Sequence, residues 1–155
     1  MLSSVANNWN IILCSRDAHR GEQALKQLGS PPNVHLAVLD VTDQQSIDHC
    51  LRVRLKQELK IERIDVLINN AGFATKGPEI NRDIAQQTLA VNYFGAKNLI
   101  ESCLEQGLIT TDTDSDSDSG KEPCRIIIVS SQVSVLSHGD EKRIQCFKPL
   151  LLSDD

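Results

Sequence analysis

Four polar residues stand at or just after the ends of short apolar runs: Arg16, Asp40, Asn70 and Ser131. Taken singly, each reads as a capping or turn residue. If the runs are strands of one parallel sheet, all four line the same edge, where open parallel sheets bind their ligands. A guanidinium such as that of Arg16 suits phosphate, because its donors are paired and planar. The densest of these stretches is Ile64 to Gly72, Ile-Asp-Val-Leu-Ile-Asn-Asn-Ala-Gly. Val66, Leu67 and Ile68 form an apolar run of the kind buried on both faces of a parallel sheet. Asn69 and Asn70 can satisfy backbone groups where the strand stops. Ala71 and Gly72 keep side chains out of the way, so that backbone can approach a ligand closely.

The elements that must position these residues alternate along the chain. Trp9 to Ser15 reads as a strand, and Asp17 can cap a helix running to about Leu28. Gly29-Ser30-Pro31-Pro32-Asn33 breaks that helix, and Val34 to Leu39 is a second strand. Thr42 and Gln45 have capping-box spacing, after which Ile47, Leu51, Leu55 and Leu59 recur as one apolar stripe. The strand Ile64 to Ile68 follows, then a loop from Thr75 to Asn81. A long helix covers Arg82 to Leu104, with Ile84, Thr88, Val91, Gly95 and Leu99 on one side. Arg125 to Val129 is the last strong strand, and Gln132 to Asp155 has no clear periodicity. This order predicts an α/β fold, a Rossmann-like doubly wound parallel sheet with helices on both faces.

The stretch Thr110 to Gly120 interrupts the pattern. It has no apolar residue and four aspartates, so burial cannot offset its ordering entropy, and it is read as a disordered acidic insertion at 110–120. A calcium loop starting at Asp114 would place Ser119 where glycine is needed and Arg125 where glutamate is needed, which excludes it.

The totals bound the function. At 155 residues the chain is one domain, residues 1–155, and with 3% aromatic residues its core must be aliphatic. A formal net charge of −5 argues against a nucleic-acid surface. Cys14, Cys50, Cys103, Cys124 and Cys146 are odd in number and scattered, which fits reduced thiols in the cytoplasm. His19, His35, His49 and His138 are equally dispersed, so no metal site is expected. No apolar run approaches membrane-spanning length.

Arg16 carries cofactor information. In dinucleotide folds an acidic residue after the second strand binds ribose hydroxyls, whereas an arginine nearby accommodates a 2′-phosphate. Here the arginine comes first and Asp17 serves as helix cap, which favours NADP over NAD. Asn69-Asn70-Ala71-Gly72 resembles the signature of the short-chain dehydrogenase/reductase family. Val91-Asn92-Tyr93-Phe94-Gly95 resembles the setting of that family's helical asparagine, and Ile128-Val129-Ser130-Ser131 its serine strand. Cys14-Ser15-Arg16-Asp17, Leu39-Asp40-Val41-Thr42-Asp43 and Ser131-Gln132-Val133-Ser134 are similar to the NADPH-dependent carbonyl reductase branch.

The resemblance implies reduction of a small-molecule ketone or aldehyde by hydride from NADP(H). It implies catalytic roles for Ser131, as donor to the substrate carbonyl, and for Asn92, which holds the helix and water of a proton relay. It places Asp40 and Val41 beside the adenine, with Asn70, Ala71 and Gly72 along the cofactor ribose. The sequence departs from the family pattern in three places. No glycine-rich phosphate loop precedes Trp9, no tyrosine follows Ser131, and Ile128 stands where asparagine is common. The chain is therefore expected to be truncated at both ends, lacking the first strand with its glycine-rich loop and the C-terminal part, and to be inactive as given. Tyr93 and Lys97 satisfy Tyr-x-x-x-Lys literally but precede the serine strand, and are read as a decoy. A non-catalytic binding or regulatory protein derived from the family is the alternative.

Overall fold

A computed structural model describes residues 9–74, 81–110 and 123–130. The acidic stretch apart from Thr110, the loop at 75–80, Ser131 and the C-terminal residues beyond it lie outside the described residues. The chain divides into two compact units, Met1–Glu62 and Arg63–Asp155, each described by itself.

In the first unit, β1 (Ile11–Ser15) and β2 (Val34–Val38) pair in parallel, from Ile11 opposite Val34 to Ser15 opposite Val38. A parallel pair needs a crossover, and α1 (Ala18–Gln27) provides it. Asp17 caps α1 as expected, its carboxylate accepting from the Arg20 N–H at 2.8 Å. Gly29 ends the helix in the left-handed region at φ 80°, and its N–H bonds to Lys26 O at 3.0 Å. The helix lies close to the sheet at Gly21, where a Cβ would sit 2.4 Å from Leu36 Cδ1 and 3.1 Å from Ser15 Cβ.

The helix after β2 starts one residue later than the capping-box spacing predicts. Asp43 is the cap, accepting from the Gln45 N–H at 2.9 Å, while the Thr42 hydroxyl and N–H are both bonded to Asp40 and cannot cap. The helix α2 (Gln44–His49) continues without a break into a π-helical stretch, Cys50–Glu58. Three residues of the stripe, Ile47, Leu51 and Leu55, are buried, with Ala37, Leu39 and Cys50 beside them, while the fourth, Leu59, is the helix C-cap and only half-buried. On an α-helix a strict spacing of four drifts by about 40° per step. The wider turns of Cys50–Glu58 reduce that drift and keep the stripe on the core.

In the second unit, β3 (Val66–Asn69) and β4 (Arg125–Ile128) form another parallel pair, Val66 opposite Arg125 and Asn69 opposite Ile128. The predicted long helix is present as three consecutive stretches: α3 (Arg82–Leu89), a π-helical turn (Ala90–Gly95) and α4 (Ala96–Glu105). Asn81 caps α3, accepting from the Ile84 N–H at 2.9 Å. Beyond α4, Gly107 turns the chain at φ 65° and Leu108 and Ile109 plunge into the core at 0% and 3% exposure. One expectation fails here. Ile68 is 59% exposed, so β3 is not covered on both faces among the described residues; β4 is its one hydrogen-bonded neighbour there. Among the described residues no helix is long and apolar enough to cross a membrane.

The close approach at Gly21 has a measurable consequence. Ser15 Cβ belongs to a strand and cannot swing aside, unlike the end of Leu36. Gly21→Val is expected to destabilise the fold by about 1–3 kcal/mol, the usual cost of overpacking. Urea unfolding reads this directly; an unchanged midpoint would mean that α1 is not seated on β1 and β2 as described.

Candidate functional site

Parallel pairing places the carboxyl ends of β1 and β2 side by side, and Arg16 and Asp40 follow those ends. Ser15 shapes the first turn: its hydroxyl donates to Asp17 O at 2.8 Å and accepts from the Asp17 N–H at 3.3 Å. Arg16 projects from this turn, exposed. Asp40 is half-buried, and its Oδ1 accepts from the Thr42 hydroxyl at 2.7 Å and the Thr42 N–H at 2.9 Å. The Asp40 N–H donates to Ser46 Oγ at 2.9 Å, tying the turn to α2. The Thr42 hydroxyl, then the Thr42 N–H, and more weakly the charge of Arg16 lower the Asp40 pKa, with partial burial opposing them. Val41, between these anchors, is half-buried.

In the second unit the corresponding edge holds the Asn-Asn-Ala-Gly turn. Asn69 is the last residue of β3 and is 8% exposed, and its Nδ2 has no hydrogen-bond partner among the described residues. Asn70, Ala71 and Gly72 are exposed beyond the strand end. A Cβ at Gly72 would lie 3.9 Å from Asn92 Oδ1 and 4.0 Å from Asn70 O, which is ordinary contact. The turn's open backbone follows from its exposure, since neighbouring atoms would admit a side chain at Gly72.

Asn92, in the π-helical turn, reaches the next residue of that chain. Its Oδ1 accepts from the Phe73 N–H at 2.7 Å, and its Nδ2 donates to Phe73 O at 3.0 Å. The amide thus pairs with both the N–H and the C=O of one residue, as a neighbouring strand would. On the β4 side, the Val129 N–H donates to Asn69 O at 3.0 Å, and Ser130 follows, exposed. Ser131 lies outside the described residues.

The structure therefore brings Arg16 together with Asp40, and Asn70, Ala71 and Gly72 together with Asn92. Thr42, Ser46 and Phe73 complete these arrangements. Sequence reasoning did not assign them to the site, and for Phe73 no residue-type signal exists, since only its backbone is used. The Tyr93 ring packs edge-to-face on Phe94, with centroids 5.0 Å apart, and Lys97 Nζ is paired with Glu101 at 3.0 Å. Both line a groove of about 490 Å³ with Asn92, Ile100, Leu104 and Ile128. Among the described residues no group of three or more His, Cys, Asp or Glu could hold a metal ion.

A family model for short chain dehydrogenase matches residues 2–139. The chain belongs to the short-chain dehydrogenase family. The short-chain dehydrogenase/reductase prx1 of Penicillium rubens is 32% identical to it over 108 residues, 70% of this chain and 31% of that protein. Carbonyl reductase (NADPH) 1 of Bos taurus is 35% identical over 133 residues, 83% of this chain and 42% of that protein. Among solved structures, ElxO with NADP bound matches with a TM-score of 0.56 at 23% identity, covering 64% of this chain and 40% of that one. At that identity the likeness is one of fold, and the fold is the α/β, Rossmann-like one expected. This short-chain dehydrogenase chain spans less than half the length of each of these relatives.

Two outcomes follow from the geometry. Asn92→Asp removes the donor to Phe73 O and sets a carboxylate oxygen against it. Hydrogen exchange at the Phe73 amide should accelerate several-fold, each lost bond contributing about 0.5–1.5 kcal/mol; unchanged protection would show that Asn92 does not hold the turn. For Asp40, a lowered pKa means that its contribution is fully present above the unfolded aspartate value of about 3.9 and is lost as pH falls through the lower folded value. Its carboxyl titration by NMR should therefore have a midpoint below the ordinary one, and Thr42→Val should move it upward. A midpoint indifferent to Thr42 would refute the assignment of cause.

Proposed function

We propose that this protein is an NADP(H)-dependent oxidoreductase that reduces a ketone or aldehyde carbonyl of a small molecule in the cytoplasm. The observation that carries the reading is the Asn70–Gly72 turn fastened through Phe73 to the helical Asn92, in a chain belonging to this family. The similarity to carbonyl reductase (NADPH) 1 supports the choice of branch.

The residues present fit the cofactor. Arg16 offers an exposed guanidinium beside the Asp40 turn, which suits a 2′-phosphate. Asp40 and Val41 would hold the adenine side, and the exposed Asn70, Ala71 and Gly72 the ribose. When bound, NADPH supplies the hydride that reaches the carbonyl carbon. Ser131 would donate a hydrogen bond to the carbonyl oxygen as charge develops on it. Asn92, its amide engaged by Phe73, would act by holding the turn and its helix in place.

A second reading is favoured by one observation. In the one Tyr-x-x-x-Lys pair among these 155 residues, Lys97 is paired with Glu101 and the Tyr93 ring rests on Phe94. These 155 residues by themselves would then serve binding without turnover, because no acid is supplied for the alkoxide.

A binding titration tests the cofactor assignment. Arg16→Asp should weaken NADPH far more than NADH, by roughly ten- to a hundredfold for a charge-assisted contact of about 1.5–3 kcal/mol. Equal losses for both cofactors would sink it. On the second reading, the 155-residue chain should bind NADPH and yet show no turnover in a carbonyl reduction assay. Turnover abolished by Tyr93→Phe would instead make Tyr93 and Lys97 the acid pair.

A further inference from the structure

The turn after β2 is closed on itself and then fastened from outside by one hydroxyl. The Leu39 N–H still donates to β1, at Ser15 O, 3.0 Å away. The next N–H, that of Asp40, leaves the ladder and donates to Ser46 Oγ at 2.9 Å. The Asp40 carbonyl accepts from the Asp43 N–H at 3.2 Å, which makes residues 40–43 a β-turn with Val41 and Thr42 at its centre. Both Thr42 donors go to Oδ1 of Asp40. Oδ2 has no hydrogen-bond partner among the described residues.

All of the Asp40 bonds but one therefore lie inside the turn and would travel with it. The exception is the bond to Ser46. Asp43, the last residue of the turn, is the cap of α2, and Ser46 ties the first residue to the same helix. Ser46 is half-buried, and its neighbour Ile47 is 0% exposed. Packing of Ile47 in the core thus sets where the hydroxyl stands.

We propose that Ser46 is a positioning residue for the adenine end of the nucleotide. It acts through Asp40 and would not contact the nucleotide itself. Its bond fixes the Asp40 peptide, so that the unengaged Oδ2 and the half-buried Val41 are presented in one arrangement. This rests on the reading that Asp40 and Val41 hold the adenine side. The physical basis is preorganisation: without the bond, the ligand must order the start of the turn as it binds, and affinity falls.

The test uses adenosine 2′,5′-bisphosphate and adenosine 5′-monophosphate, which share adenine and differ in the 2′-phosphate. Affinities are read by NMR titration at the Arg16, Asp40 and Val41 amides, well below the melting temperature, so that only folded protein is counted. Alanine is a good helix former, so α2 should persist in Ser46→Ala. That variant should weaken both nucleotides by the same factor, roughly two- to tenfold for one lost neutral hydrogen bond. Ser46→Thr keeps the hydroxyl and should restore both affinities. Arg16→Asp should weaken the bisphosphate alone. Undiminished affinities in Ser46→Ala would overturn the proposal and leave the cofactor reading standing. A loss confined to the bisphosphate would also overturn it, by assigning Ser46 to the phosphate. If the unaltered chain binds neither nucleotide, the cofactor reading itself fails and the proposal falls with it.

Discussion

Parallel strand pairing is the constraint on which the rest depends. Two parallel strands cannot be joined by a tight turn; the chain must cross back over the sheet, and a helix is the usual way to do so. Both ladders here, β1 with β2 and β3 with β4, are parallel. In each, therefore, two carboxyl ends emerge side by side with polar residues just beyond them. Arg16 and Asp40 meet for this reason, and so do the Asn-Asn-Ala-Gly turn and the chain leading to Ser130. Each of these polar edges is thus a product of topology before it is a product of any one side chain.

What topology leaves loose, local hydrogen bonding makes definite. At the first edge the Asp40 carboxylate gathers the Thr42 N–H and hydroxyl, and its own N–H is anchored on Ser46. Opposite electrostatic tendencies meet there, and the bonds from Thr42 outweigh the cost of partial burial. At the second edge an amide stands in for a strand. The Asn92 side chain offers one donor and one acceptor to the backbone of a single residue, Phe73, which fixes the turn without adding a strand beside it.

Much of this was legible in the residues. The Asp17 cap, the alternation of strands and helices, the buried Ile47, Leu51 and Leu55, and the positions that follow the strand ends all follow from pattern and turn chemistry. Other features depend on partners that are distant or ambiguous. Thr42 and Asp43 are both good caps, and the choice between them was settled by Asp40, which takes Thr42. The wide turns at Cys50–Glu58 and Ala90–Gly95 change the angular position of everything after them, so a 3.6-residue wheel could not place Asn92. The contact of Asn92 with Phe73 is made to backbone, which carries no residue-type signature. The exposure of Ile68 reflects the neighbours of β3 rather than its own composition.

The pinning of the chain on either side of β3 has a consequence for how this fold tolerates change in length. Ile64 N–H donates to Leu108 O at 2.7 Å, and Arg125 N–H donates to Asp65 O at 2.9 Å. Two successive residues thus hold both ends of the intervening segment, and Leu108 and Ile109 are buried as its near anchor. A segment whose ends are fixed side by side can grow or shrink at little cost, since each doubling of a loop adds only about 0.6 kcal/mol of closure entropy. The span from 110 to 124 is therefore a natural splice point: sequence of foreign composition can be accepted or exchanged there while α4 and β4 keep their places.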